Sequence, residues 1–235
     1  MQTAIKAALS LIILDSALER NMKKAILFLS LTALVLSGCN FSRKTGSGAL
    51  KAEKRSVPAF NAVDISGAYE VEITAQKEQG VEIEGDDNIL PLIKTEVRNG
   101  VLEIYNEKAF STKNKIRLRI SAPVLEGVST SGASDIVVTG VKSDQFKIDT
   151  SGAGSLKASG EAQALEVELS GAGEVDLKDL RAQKVKVTSS GAATADVYAS
   201  EELTASVSGA GNVNYYGDPK VVNQDTSGAG SITKR

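Results

Sequence analysis

The sequence predicts an all-β protein, a right-handed parallel β-helix of about nineteen-residue coils with an N-terminal β-hairpin elaboration, and three observations predict it. The first is a repeat: from residue 56 onward Ser-Gly-Ala occurs at Ser66, Ser131, Ser151, Ser170, Ser190, Ser208 and Ser227, the last six spaced 20, 19, 20, 18 and 19 residues apart. A fixed short period is the mark of a solenoid, in which each unit buries its apolar face only by stacking on the next. The second is strict alternation of apolar residues on both sides of each repeat, the period of a half-buried strand. The third is composition. With 21 Gly, 4 Pro, 4% aromatics and no Trp, the chain favours thin, closely packed β-layers over a large globular core.

Within each repeat, numbered from its Ser as zero, apolar residues fall at −5 and −3: Phe146/Ile148, Leu165/Val167, Val185/Val187 and Leu203/Ala205. They return at +5 and +7: Ile136/Val138, Leu156/Ala158, Val175/Leu177, Ala195/Val197 and Val213/Tyr215. All these offsets are odd, so both runs share one inward face. Position +1 is always Gly, and +3 is Ser134, Gly154, Gly173, Ala193, Gly211 or Gly230. Small residues suit a corner that bends across a narrow interior or approaches the neighbouring coil, because Gly brings unusual dihedral angles and no side-chain bulk. The expected corner ladder is Ser131-Gly132, Ser151-Gly152, Ser170-Gly171, Ser190-Gly191, Ser208-Gly209 and Ser227-Gly228. Second corners are expected at Ala158-Ser159-Gly160, Tyr198-Ala199-Ser200 and Tyr216-Gly217-Asp218.

Residues 122–235 carry the regular repeats, whereas 56–121 follow the same rule less regularly. Around Ser66 the odd offsets hold Val63, Ile65, Tyr69, Val71 and Ile73, which predicts a first coil. Asn99-Gly100 between Val97 and Val101 is a two-residue hairpin signal, and this hairpin is expected to protrude from or cap the N-terminal side of the solenoid. An open solenoid end is a sheet edge that recruits other chains.

The first 55 residues read as an address rather than as fold. Met22-Lys23-Lys24 followed by the apolar run Ala25 to Leu36 has the charged start and short apolar core of an export signal. Residues 1–38 are therefore an upstream extension plus a lipoprotein signal peptide, with Met22 the expected start of translation. Leu36-Ser37-Gly38-Cys39 looks like the lipobox of bacterial lipoproteins, a likeness that implies cleavage before Cys39 and lipidation of its thiol. Residues 39–55 would be the lipid anchor and a flexible tether, and the membrane, held through the lipid on Cys39, would be the first partner. The address is the cell envelope, the outer membrane in particular. Asn40 and the lack of an acidic cluster in the tether favour its periplasmic side, while surface display stays open.

Composition also excludes function classes. There is no His and a single Cys, which removes His-based acid/base chemistry, Cys/His zinc sites and internal disulfides. From residue 56 onward 18 basic residues face 26 acidic ones, a net −8, while residues 40–55 carry five basic residues against Glu53. An acidic body is no partner for nucleic acid.

The segment Phe60-Asn61-Ala62-Val63-Asp64-Ile65-Ser66-Gly67-Ala68-Tyr69-Glu70-Val71, the hairpin segment Thr95 to Tyr105 and the repeated Ser-Gly-Ala-Gly corners resemble the head GIN domain family of autotransporter-type adhesins and lipoproteins in Bacteroidota. The resemblance covers about residues 57–235. It implies a β-helix resembling the pectin lyase scaffold and a role in cell adhesion, and it brings no catalytic residues. Likeness of fold to lyases is analogy only.

The outward rows are where a ligand would be read. Position +4 holds Asp135, Ser155, Glu174, Thr194, Asn212 and Ser231, and +6 holds Val137, Lys157, Asp176, Asp196, Asn214 and Thr233. Glu174, Asp176, Asp196, Asn212 and Asn214 form a candidate oxygen-rich patch, in which the like charges of Asp176 and Asp196 could be relieved by a hard cation or by sugar hydroxyls. A solvated charged face is the plainer reading of the same rows. The stacked serines have no His to activate them and recur in every coil, so they are read as a structural hydroxyl ladder. Tyr216 could stack on a sugar ring, while Tyr215 fits the core.

The chain is therefore expected to be a non-enzymatic envelope lipoprotein, without a cofactor, presenting a long flat β-helical face for noncovalent binding of glycan or protein. Two other readings stand beside it. One is a structural protein that associates end to end. The other is a calcium-assisted polysaccharide lyase or hydrolase using Asp176 and Asp196.

Overall fold

Alternating apolar residues separated by glycine corners wind the chain into a parallel β-helix. The computed structural model describes residues 43–235; the upstream extension, the signal segment and Cys39 lie outside the described residues. The N-terminal part contains β1 (Lys44–Thr45), β2 (Leu50–Lys54), β3 (Ala62–Gly67), β4 (Glu70–Ala75), β5 (Gly80–Asp86), a 3-10 turn (Leu90–Leu92), β6 (Ile93–Arg98), β7 (Val101–Asn106), β8 (Phe110–Ser111) and β9 (Arg117–Ala122). The regular part contains β10 (Gly127–Gly132), β11 (Asp135–Thr150), β12 (Ser155–Leu169), β13 (Glu174–Ser189), β14 (Thr194–Val207), β15 (Asn212–Tyr216), β16 (Val221–Thr226) and β17 (Ser231–Lys234).

Each coil pairs in parallel with the next, and like residues stack on like. Ile148, Val167, Val187 and Ala205 form one inward ladder, and Ile136, Leu156, Val175, Ala195 and Val213 form another. Every one of these side chains is buried. Full burial of a Val, Leu or Ile stabilises by about 1.5–3 kcal/mol, so the ladders hold the coils in register without any large side chain. The first coil joins the same stack, since β3 pairs with β10 (Ser66 opposite Ser131) and β4 pairs with β11.

The corners are closed by backbone rather than by side chains. Between two successive coils, Ser170 N–H donates to the Thr150 carbonyl (2.9 Å), Ala172 N–H to Gly152 (3.0 Å) and Glu174 N–H to Gly154 (3.1 Å). The expected hydroxyl ladder is thereby corrected. Ser66 and Ser131 share an Oγ–Oγ hydrogen bond of 2.8 Å, but Ser151 and Ser208 reach only for a carbonyl of the preceding coil, at 3.5 and 3.4 Å. Close approach is also why the corner needs glycine. A Cβ on Gly171 would stand 1.8 Å from the Gly152 carbonyl oxygen, although Gly171 itself has an ordinary backbone conformation.

The N-terminal side is sealed by antiparallel strands. Asn99 (φ 52) and Gly100 (φ 80) turn β6 back into β7, and β7 pairs with β3 at the end of the stack. In the slot where later coils carry Gly or another small residue, the first coil carries Tyr69, buried, with its hydroxyl donating to Asn106 Oδ1 (2.5 Å).

The expected flexible tether over 39–55 is corrected across its described part. β2 pairs antiparallel with β5, and β1 pairs with β8. Ser47 Oγ donates to Asp87, Ser47 N–H to Asn88 Oδ1 (2.9 Å), and Asn88 Nδ2 to the Thr45 carbonyl (2.8 Å). Beneath this clasp lies Asp86, 1% exposed, accepting from Thr112 Oγ1 (2.6 Å) and Asn114 Nδ2 (2.5 Å). The Gly-Ser composition marks a tight turn here: a Cβ on Gly46 would sit 1.8 Å from Asp86 Oδ2.

Candidate functional site: an outer groove across four coils

Each coil bends a second time after its +7 residue, and the strand pairing shifts register there, between Val138 and Val141, Lys157 and Gly160, and Leu177 and Arg181. These bends fall at or beside the expected second corners. Gly160, at φ 135, allows the turn, and a Cβ there would meet the Val141 carbonyl at 2.1 Å. Past these bends, on the outer side, lies an open groove of about 1390 Å³, lined by side chains that follow each bend, Lys142 to Lys147, Glu161 to Glu166 and Arg181 to Lys186 among them.

Two outward rows, each in register from coil to coil, line it. One runs Lys142, Glu161, Arg181, Tyr198; the other runs Lys147, Glu166, Lys186, Thr204. Between them, Ala164 and its register neighbours Gln145, Lys184 and Glu202 also line it. Stacked parallel strands lie about 4.8 Å apart, so four coils span about 15 Å along the groove.

The groove is charged but balanced. Its lining includes Lys142, Lys147, Arg181, Lys184 and Lys186, and against them Glu126, Asp144, Glu161, Glu166 and Glu202. Lys186 pairs with Glu166 (2.7 Å), and Lys147 with Glu168 (2.9 Å) on the adjoining row. The hydrogen bond from Lys186, and then its charge, hold the Glu166 carboxyl below the usual carboxylate range. Such exposed pairs contribute little stability and serve chiefly to orient the side chains. The guanidinium of Arg181 stacks on the Tyr198 ring at 4.1 Å from its centroid. Gln163 donates to Asp144 (2.5 Å).

The patch expected from the +4 and +6 rows lies on a different outward face. Asp176 stands opposite Asp196, which stands opposite Asn214, while Glu174 and Asn212 flank Thr194 in the row beside them. The charge of the two aspartates is met by lysines. Lys157 reaches Asp176 at 3.1 Å, Lys178 reaches Asp176 at 3.5 Å and Asp196 at 3.7 Å, and Asn214 donates to Asp196 (2.8 Å). Burial pushes the Asp176 carboxyl up, but the hydrogen bonds from Lys157 and the Lys178 N–H, with the two lysine charges, outweigh it and hold its pKa low. Among the described residues no group of three or more acidic or cysteine side chains is placed to hold a metal ion. Tyr216 stays partly exposed, with Lys178 Nζ 6.0 Å from its ring centroid, while Tyr215 is buried as core.

Repeat numbering from the Ser corner concealed the groove. The rows at −9 (−10 for Tyr198) and −4 are polar and varied, and nothing in their one-dimensional pattern announces that the surface they line is concave. The only trace is Ala164 in an outward slot, opposite the longer Gln145 and Lys184.

A parallel β-helix of stacked coils of this kind belongs to the solenoid proteins. The chain belongs to the family described as "Putative auto-transporter adhesin, head GIN domain", which matches residues 59–219. Among solved structures it is similar to a "putative adhesin" of Bacteroides fragilis, at 26% identity and a TM-score of 0.70, over 81% of this chain and 99% of that one. It is also similar in fold to a "putative adhesin" of Parabacteroides merdae (19% identity, TM-score 0.57, 82% and 99% covered). A "putative lipid binding protein" of Parabacteroides distasonis shares the fold as well (19%, 0.57, 83% and 100%). Among curated proteins none matches the chain.

Proposed function

We propose that this chain is an envelope lipoprotein, anchored through Cys39, that binds a glycan or a protein noncovalently along the outer groove and performs no catalysis. The groove of about 1390 Å³ is the observation that carries this reading, because it gathers charged, amide and aromatic side chains from four coils into one concave surface. Membership of an adhesin family supports a binding role. The lipobox-like Leu36-Ser37-Gly38-Cys39 supports the anchor, and its side of the outer membrane follows from the test below.

Protease shaving of intact cells, with the domain followed by antibody and a periplasmic protein as control, tests the location. Loss of the domain while the control survives is the result for an adhesin displayed outside the cell. Protection of both places it in the periplasm and leaves the groove a partner within the envelope. Recovery of the domain in the soluble fraction, without lipid on Cys39, contradicts the reading.

A further inference from the structure

We propose that the outer groove takes a neutral, linear oligosaccharide lying along the solenoid axis, about one sugar unit per coil; this rests on the groove reading above and deepens it. The first argument is the pitch. Outward rows such as Lys142, Glu161, Arg181 and Tyr198 repeat once per coil, and a coil rises by about 4.8 Å, of the order of one pyranose unit in an extended chain. A polymer of equivalent units thus meets the same height of the groove at every step, and four coils offer four such sites. An extended peptide along the axis advances by only about 3.4 Å per residue, and its side chains alternate in direction.

The second argument is charge. The lining holds five basic and five acidic side chains, and Lys147, Lys184 and Lys186 each already face a glutamate, at 2.9, 3.9 and 2.7 Å. A uronate polymer or other polyanion needs a surplus of free cations along its track. A neutral polyol uses both signs, since each hydroxyl donates and accepts. The third argument is the scarcity of apolar anchors. Protein partners dock on a desolvated cluster of aromatic and aliphatic residues, whereas the only large exposed aliphatic side chain in the groove is Val124. Tyr198 carries the Arg181 guanidinium on its ring, so the pair offers an aromatic edge and the hydroxyl beside the guanidinium N–H donors, a mixed surface that suits a polyol.

Calorimetry on the full mature chain tests this, using neutral gluco- and manno-oligosaccharides from disaccharide to hexasaccharide, with an oligouronate of the same lengths as the charged control. The expected result is an affinity that rises about tenfold or more up to the tetrasaccharide and then levels off, and that barely changes with salt because no ion pairs are exchanged. Tyr198→Ala should weaken it about tenfold while Tyr198→Phe retains it, and Asp176→Asn on the other face should leave it unchanged. Two results overturn the proposal: no neutral oligosaccharide binds, or the oligouronate binds in preference with a steep salt dependence. In the first case, loss of envelope binding on mutating the groove would still leave the broader groove reading standing, with a partner other than a neutral glycan.

Discussion

The guanidinium carbon of Arg181 lies 4.1 Å from the ring centroid of Tyr198, directly across one coil-to-coil step of the same outward row. An arginine stacked on a tyrosine at an exposed site is worth about 0.5–1 kcal/mol. A double-mutant cycle with Arg181→Ala and Tyr198→Ala, read by urea denaturation, should return a coupling of that size. Strict additivity would mean that the pair is not formed in solution.

The corner glycines give a sharper prediction. In Gly171→Ala the new methyl must displace the Gly152 carbonyl, which an ideal Cβ would approach to 1.8 Å, and the corner carries three hydrogen bonds that cannot move independently. Overpacking of this kind costs about 1–3 kcal/mol or more. The neighbouring Ala172 is exposed, and Ala172→Ser should stay within about 0.5 kcal/mol. Equal midpoints for the two variants would remove the close-approach explanation of the repeat.

Ser189 is a defect in the inward ladder. It is 1% exposed and its Oγ has no partner, while its register neighbours in the adjacent coils are Leu169 and Val207. Leaving a buried hydroxyl unsatisfied costs about 1–3 kcal/mol. Ser189→Ala should therefore raise the denaturation midpoint, against the usual direction of core truncation. A lower midpoint would show that the hydroxyl is satisfied in solution.

The clasp at Asp86 should be sensitive to acid. Hydrogen bonds from Thr112, Asn114 and the Gly48 N–H hold the Asp86 carboxyl below its ordinary value, outweighing burial, which pushes it up. A depressed folded pKa gives stability that is present above the unfolded value, about 3.9, and is lost as pH falls through the folded one. Amide exchange over residues 43–54 should accelerate below about pH 4, ahead of the regular coils, and Asp86→Asn should flatten that step. Uniform acceleration along the whole chain would show that the clasp has no stability of its own.

The solenoid was legible because its physics is periodic. Ile148 and Val167 must face inward if Ser151 and Ser170 turn corners, and the hairpin follows from Asn99-Gly100, whose two residues both take positive φ. The site was legible only in part. Asp176 and Asp196 were recognisable as register neighbours, but Lys178, which bridges them, sits two positions further along the chain, so their neutralisation depends on how one side chain folds back. The groove depends on how the chain curves past the register shift at Val138 and Val141, a three-dimensional property that alternation does not encode. Leu50–Lys54 read as tether because its strand partner, β5, is set by the distant clasp residues Asp86, Asp87 and Asn88.

The most direct test of the groove as the binding surface compares two faces of one molecule. Retention of the purified mature chain on isolated cell envelopes would be measured for Arg181→Ala/Tyr198→Ala in the groove and for Asp176→Asn/Asp196→Asn on the other face. The account predicts that the groove variant loses retention about tenfold or more while the aspartate variant matches the parent. Unchanged retention in the groove variant, with loss in the aspartate variant, would contradict it and return the binding surface to the row of Asp176 and Asp196.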